Sequence, residues 1–208
     1  MRNNRGDRLF TESSQLRERR RLTADDVSEK YSAAAIALHW LTAILIVANL
    51  LLGLSMVPLP ISPRKLEWYL WHKWVGITVF LLTCARLAYR SVRPPPAPVA
   101  MAAWQRRAAA AAHAVLYALL LVIPLSGWLY SSATGVQVVY LGVVALPNLV
   151  PKDKALADVL RAVHVTLNFT LFALVCVHTA AALRHHFVDR DTVLFRMLPI
   201  FKPKGASR

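Results

Sequence analysis

The chain has 208 residues, of which 56% are hydrophobic and 17% are charged. That charged share is below the roughly 25% of a soluble domain, and the mean hydropathy is +0.42, which argues against a soluble fold. The formal net charge of +14 would suggest a nucleic-acid partner in a soluble protein, but here most basic residues flank apolar segments. Membrane topology accounts for that placement, and no nucleic-acid partner is expected.

In chain order, residues 1–30 are polar and rich in charges of both signs, which predicts a disordered cytoplasmic arm. Four apolar segments follow, and each is close to the roughly twenty residues that a helix needs to cross the hydrocarbon core. The second is the weakest, because Lys73 and Arg86 leave only residues 74–85 uncharged between them. The predicted spans are residues 33–57, 70–90, 108–130 and 162–183. All four spans belong to one predicted transmembrane domain, residues 31–199. A basic tail, residues 200–208, follows this domain.

A fifth apolar stretch, residues 136–150, is too short to span and is interrupted by Gly142 and Pro147. It is predicted to be an interfacial loop or a partial helix. Two cysteines, Cys84 and Cys176, lie in the middle of apolar spans. This setting predicts buried structural thiols rather than a disulfide framework or a thiolate metal site.

The basic residues also predict the orientation. Nineteen of the 25 Lys and Arg residues lie in the N-terminal arm, in the stretch from Arg86 to Arg107 around the second connection, or from Arg184 onward. Because cytoplasmic segments carry the excess of Lys and Arg, both termini are predicted to lie in the cytoplasm. The predicted fold is therefore an all-α integral membrane four-helix bundle.

Four histidines lie inside or at the rim of these spans, where an ionisable residue is costly and is functional by default. His164 and His178 are fourteen residues apart, so they share one helix face at a separation of about 21 Å. The topology puts His39 at the cytoplasmic depth of His178. It puts His72 at the outer depth of His164. Two depth-matched pairs in a bundle core predict two haems, each held by two histidines, stacked across the bilayer.

Neighbouring positions agree with this placement. On the fourth span an a/d-like stripe is predicted to face the bundle interior. Gly76 lies four residues after His72 and Ala43 four after His39, and small residues one turn away leave room for a macrocycle. The stripe consists of His164, Asn168, Leu171, Val175 and His178.

Three further histidines leave alternatives open. His113, near the cytoplasmic start of the third span, competes with His39 as the partner of His178. His185 follows His178 by one heptad, and with His186 it lies at the membrane surface. These two are either solvated interfacial residues or contacts to a haem propionate or a bound quinone.

These motifs resemble the bacterial cytochrome b561 family over residues 30–199. The matching stretches are Tyr31-Ser32 with Leu38-His39-Trp40, His72 with Gly76, His113 with Tyr117 and Pro124, and the run from His164 through His178 to Arg196-Met197-Leu198-Pro199. The resemblance implies a bacterial inner-membrane protein with two b-type haems, one held by His39 with His178 and the other by His72 with His164. It also implies electron transfer between a donor and membrane quinone, and some members of the family oxidise superoxide.

The leading hypothesis is therefore electron transfer from superoxide or a protein donor, through two haems, to ubiquinone. Ligation by two histidines leaves no open position on the iron, which favours electron transfer over oxygen binding. Arg86, Arg184 and His185 are candidate contacts to quinone or propionate at the inner rim. Six basic residues on the outer side would steer an anionic donor: Arg64, Lys65, Lys73, Lys152, Lys154 and Arg161. The alternatives are a non-catalytic haem subunit of a partner dehydrogenase or soluble cytochrome, and a haem-free transporter or scaffold.

Overall fold

The computed structural model describes residues 30–99 and 101–198. Of the predicted arm only Lys30 is described, and the predicted basic tail lies outside the described residues. Four long helices account for most of the rest, and each is long and apolar enough to cross a membrane. They are α1 (Ala33–Met56), α2 (Pro63–Val92), α3 (Ala103–Ala133) and α4 (Lys154–Arg184). The predicted all-α membrane bundle is therefore confirmed.

The last three helices are longer than their predicted spans because capping residues start two of them well before the apolar core. Ser62 accepts a hydrogen bond from the backbone N–H of Lys65, and Pro63 occupies the first helical position of α2. Asp153 accepts one from the N–H of Leu156 at the start of α4. Apolar length indicates where a helix crosses the bilayer, whereas these local signals determine where it begins.

Consecutive helices run in opposite directions, which gives the bundle two ends. We call the end that holds the start of α1 and the end of α4 the terminal end, and the end that holds the α1–α2 and α3–α4 connections the loop end. The buried core lies between them, built around Val79, Leu120, Ile123 and Leu171. Most other apolar side chains, such as Phe169 and Val177, are exposed on the outside of the bundle, as expected where lipid replaces water.

The α3–α4 connection contains a small antiparallel hairpin made of β1 (Val139–Tyr140) and β2 (Val144–Ala145). The prediction of a partial helix in residues 136–150 is therefore wrong. The alternative prediction of a loop is closer to the structure, which has a loop with a short hairpin. The burial predicted for Cys84 and Cys176 is also wrong, because both free thiols are exposed on the bundle surface. An apolar side chain on a membrane helix has no need to face the interior, since lipid is as apolar as the core.

At the terminal end, the chain after α4 folds back over the bundle. A π-helical turn, His185–Asp189, follows α4 and ends at Arg190, which adopts a left-handed conformation. The Trp40 indole N–H then donates to the carbonyl of Met197 at 2.6 Å, and the Arg196 guanidinium donates to the carbonyl of Ala97 at 2.6 Å. These two bonds tie the C-terminal segment to α1 and to the α2–α3 connection.

Candidate functional site

The structure brings the predicted histidines together in two groups, one near each end of the bundle. At the loop end the ring centres of His72 and His164 are 6.2 Å apart. At the terminal end those of His39 and His178 are 6.4 Å apart. Leu171 is buried in the core, seven residues from each histidine of α4, so apolar packing separates the two groups. Leu171 and Val175 both face the interior, in agreement with the predicted stripe.

In the loop-end group, backbone carbonyls of other helices determine which ring nitrogen carries the proton. The Nδ1 atom of His72 lies 3.2 Å from the carbonyl oxygen of Asn49. Because a carbonyl only accepts, Nδ1 must donate, which leaves Nε2 as the nitrogen able to bind a metal. A hydrogen bond of this kind orients a metal-binding histidine and fixes its tautomer.

His164 is held in the same way by α3. Its Nδ1 atom lies 2.9 Å from the hydroxyl oxygen of Ser126 and 3.2 Å from the carbonyl oxygen of Ile123. The Ser126 hydroxyl itself donates to that carbonyl at 2.7 Å, so its lone pair accepts from the histidine. His164 therefore also keeps Nε2 free for a metal. Sequence reasoning missed both Asn49 and Ser126 as partners, because neither lies on the helix of the histidine that it holds.

Two glycines give these rings their space, and sequence reasoning missed both. A Cβ atom placed on Gly127 would lie 3.0 Å from Cε1 of His164. One placed on Gly53 would lie 3.2 Å from Cε1 of His72. Gly76, which the sequence pattern favoured, instead faces the amide of Asn49, with an ordinary 3.7 Å distance. The clearance around each ring is thus set by a glycine of a neighbouring helix.

The terminal-end group contains a third histidine. His113 and His178 have ring centres 5.3 Å apart, which is closer than the centres of His39 and His178. Nδ1 of His113 donates to the carbonyl of Ala109 on its own helix, at 2.7 Å. The Nδ1 atom of His39 is buried and has no hydrogen-bond partner among the described residues.

The predicted inner-rim residues take up two different positions. The Arg86 guanidinium lies 5.3 Å from the ring centre of Tyr117, on the side of the terminal-end histidines. Arg184 and His185 instead approach carboxylates of the turn that follows α4. The Nε atom of Arg184 lies 3.8 Å from Asp189, and Nδ1 of His185 lies 2.6 Å from Asp191. Arg86 therefore has different partners from the other two candidates.

The six basic residues predicted for steering all lie toward the loop end, but they are not equivalent. Lys65 donates to the carbonyls of Val57 and Leu59, where it neutralises the end of α1. Lys73 donates to the hydroxyl of Ser131 at 2.7 Å. Lys154 has a 94% exposed side chain and only a long contact, 3.6 Å, to Asp158. Some of these charges hold the fold together, and others are available to solvent.

Comparison with known proteins gives a consistent result. The family model for prokaryotic cytochrome b561 matches residues 30–199. The chain is 36% identical over 175 residues to cytochrome b561 homolog 2 of Escherichia coli (strain K12), an alignment that covers 82% of this chain and 92% of that protein. It is 29% identical to cytochrome b561 homolog 1 of the same organism, with 82% and 97% covered.

A third relative carries a more specific name. The chain is 28% identical over 182 residues to the probable superoxide oxidase CybB of Yersinia pestis, with 82% of this chain and 97% of that protein covered. The family model spans all four helices and both histidine groups, and the relatives are matched over nearly their whole length. The chain therefore belongs to the prokaryotic cytochrome b561 family, and its function is electron transfer across a membrane with b-type haem.

Proposed function

We propose that the protein binds two b-type haems and passes electrons through them to a membrane quinone. The observation that carries this proposal is the pair of facing imidazoles at each of two levels, His72 with His164 and His39 with His178. The separation of the levels follows from α4, on which two of the four histidines lie fourteen residues apart. That spacing corresponds to about 21 Å along the helix axis.

The residues present fit such a cofactor. Two imidazoles that bind one iron from opposite sides, each through a metal–nitrogen bond of about 2 Å, have ring centres roughly 6 Å apart. The separations of 6.2 and 6.4 Å agree with that value. At the loop end both rings also keep Nε2 free, because their Nδ1 atoms are hydrogen bonded. The 5.3 Å between His113 and His178 is short for two opposing ligands, which favours His39 as the partner of His178.

The haem irons would supply the one-electron chemistry, and the chain's own residues do the rest. The four histidines would hold the two irons, two to each, and would leave no open position for oxygen to bind. The hydrogen bonds from His72 to Asn49 and from His164 to Ser126 fix ring orientation. The hydrophobic cluster around Leu171 fills the space between the two levels with apolar side chains.

For the electron donor we propose superoxide, acting at the loop end. In the overall reaction two superoxide anions each lose one electron to become O₂, and ubiquinone takes up two electrons and two protons to become ubiquinol. The name of the Yersinia pestis relative supports this choice. So do the basic residues of the loop end, whose charge would attract an anion. We propose that quinone is reduced at the terminal end, near Arg86, Arg184 and His185.

The same proposal assigns domains and location. Residues 31–199 form the haem domain, flanked by an N-terminal arm and a basic tail, in the bacterial inner membrane with both termini in the cytoplasm. The excess of Lys and Arg on the terminal side supports this orientation. We expect a fluorescent protein fused after residue 208 to mature in the cytoplasm, and alkaline phosphatase fused at the same place to be inactive. Active phosphatase at that position would show that the C-terminus lies outside the cytoplasm and would contradict the proposed topology.

Haem content tests the function most directly. We expect purified protein to carry about two haems per chain, by pyridine haemochrome assay, as two axial pairs require. His164→Ala should remove the loop-end haem alone, and His178→Ala the terminal-end haem alone, since each removes one ligand of one site. The haem that remains in His164→Ala and the haem that remains in His178→Ala should differ in redox midpoint potential. A folded, colourless protein made with ample haem would leave a transporter or scaffold as the function.

The partner of His178 is tested by a matched pair of variants. His39→Ala should remove the terminal-end haem, because it deletes an axial ligand. His113→Ala should leave that haem in place, with at most a small change in its spectrum. If the two variants behave in the opposite way, His113 is the ligand and the assignment of His39 is wrong.

The glycine clearance gives a test that leaves every histidine intact. Gly127→Ala places a methyl group 3.0 Å from the ring of His164, so the ring must move and the loop-end haem should be lost or weakly held. Gly76→Ala is the control, because its methyl group meets only the Asn49 amide at 3.7 Å. The measurement is haem content after purification in detergent. Equal haem content in the two variants would contradict this role of Gly127.

Steering of superoxide is tested by charge reversal at exposed positions. We expect Lys154→Glu with Arg161→Glu to lower kcat/KM for superoxide by roughly tenfold or less at low salt and to weaken its dependence on ionic strength. Arg106→Glu on the exposed terminal side is the control and should leave the rate unchanged. Stopped-flow measurement of quinone reduction gives the rate. An unchanged rate in the double variant would exclude steering by these two residues.

A further inference from the structure

The hairpin in the α3–α4 connection exposes an apolar tip. The exposed fractions are 57% for Leu141, 82% for Val143 and 51% for Val144. Two of the turn residues, Leu141 and Gly142, have positive φ angles of 52° and 72°. A hairpin turn of this type in water favours Asn, Asp or Gly at its first central position, and Leu there is unusual. The tip therefore has the backbone of a tight turn but the side chains of a buried segment.

Several backbone groups of the hairpin are paired within the protein. Val139 pairs with Ala145 and Tyr140 with Val144. The N–H of Val143 donates to the carbonyl of Tyr140 at 3.0 Å, which closes the turn. Outside the ladder, the carbonyl of Val139 accepts from the indole N–H of Trp74 at 2.7 Å. Backbone that enters the apolar part of a membrane must have its polar groups paired within the protein, and the strand pairs, the turn-closing bond and the Val139 carbonyl meet that condition.

The contacts with α2 place the hairpin beside the bundle rather than above it. The Tyr140 hydroxyl is 3.0 Å from that of Thr78. Trp74 and Thr78 follow His72 by two and six residues, so they lie about 3 and 9 Å closer to the middle of the membrane than His72 does. The hairpin thus reaches the depth of the loop-end histidines, where the outside of the bundle faces lipid.

From these observations we infer that the hairpin is a lipid-binding element, whose Leu141, Val143 and Val144 side chains lie among the acyl chains of the leaflet at the loop end. The polar atoms of Trp74 and Tyr140 are hydrogen bonded within the protein, so both rings can lie in the apolar region beside the hairpin. This inference depends on the membrane location of the bundle and on no haem, quinone or superoxide chemistry. If the proposed haem and quinone function were disproved, the inference about the hairpin would still hold.

A spin label at Val143 tests the inference in the full chain. Cys84 and Cys176 are first replaced by alanine, Val143→Cys is labelled, and the protein is reconstituted into phosphatidylcholine–phosphatidylglycerol vesicles. Electron paramagnetic resonance then compares collisions with lipid-soluble oxygen and with a water-soluble nickel chelate. Phe169→Cys, on the exposed face of α4, serves as the lipid reference, and Lys154→Cys as the water reference.

We expect the label at Val143 to collide preferentially with oxygen, as the Phe169 label does. A nickel-dominated signal like that of Lys154 would overturn the inference. Protection from both reagents would also overturn it, because it would mean that protein, such as a second copy of this chain, covers the tip. If Val143→Cys does not fold, Val144→Cys gives the same reading from the neighbouring exposed position.

Discussion

The structure depends on one constraint, which is that α4 carries two half-buried histidines at a fixed separation. A bilayer offers no water to an imidazole, so each ring must find a partner within the protein. Leu171 lies midway between His164 and His178 and anchors the core there. The other helices must then bring one histidine to each level, which α1 does at the terminal end and α2 at the loop end. The antiparallel packing of these helices is consistent with that requirement.

Much of this arrangement could be predicted from the sequence, because it is encoded locally. Apolar length indicates a crossing, helical periodicity places His164 and His178 on one face, and alternating direction sets the depths. What surrounds each ring could not be predicted, because it comes from other helices. Gly127 clears the ring of His164 only through the packing of α3 on α4. For the same reason Gly76, the glycine nearest His72 along its own helix, faces Asn49 instead.

The connections were harder to predict than the spans. The apolar character of residues 136–150 was evident, but it fits a short helix and a hairpin equally well. The hairpin is fixed by distant contacts, such as the bond between Trp74 and the carbonyl of Val139. His185 follows His178 by one heptad, but the α-helix has changed to a π-helical turn at this residue. His185 therefore contacts Asp191. Local periodicity carries no information about such a change of register.

The order of the four helices, with α4 after the other three, also constrains biogenesis. Both proposed pairs need one histidine from this helix, which the ribosome makes after the other three described helices. While α1 and α2 insert, His39 and His72 have no partner ring, and neither site exists until α4 joins them. The bonds from Trp40 to Met197 and from Arg196 to Ala97 form later still. If these pairs hold haem, neither site is complete before α4 has been made, and a chain that stops before α4 would lack one ligand of each pair.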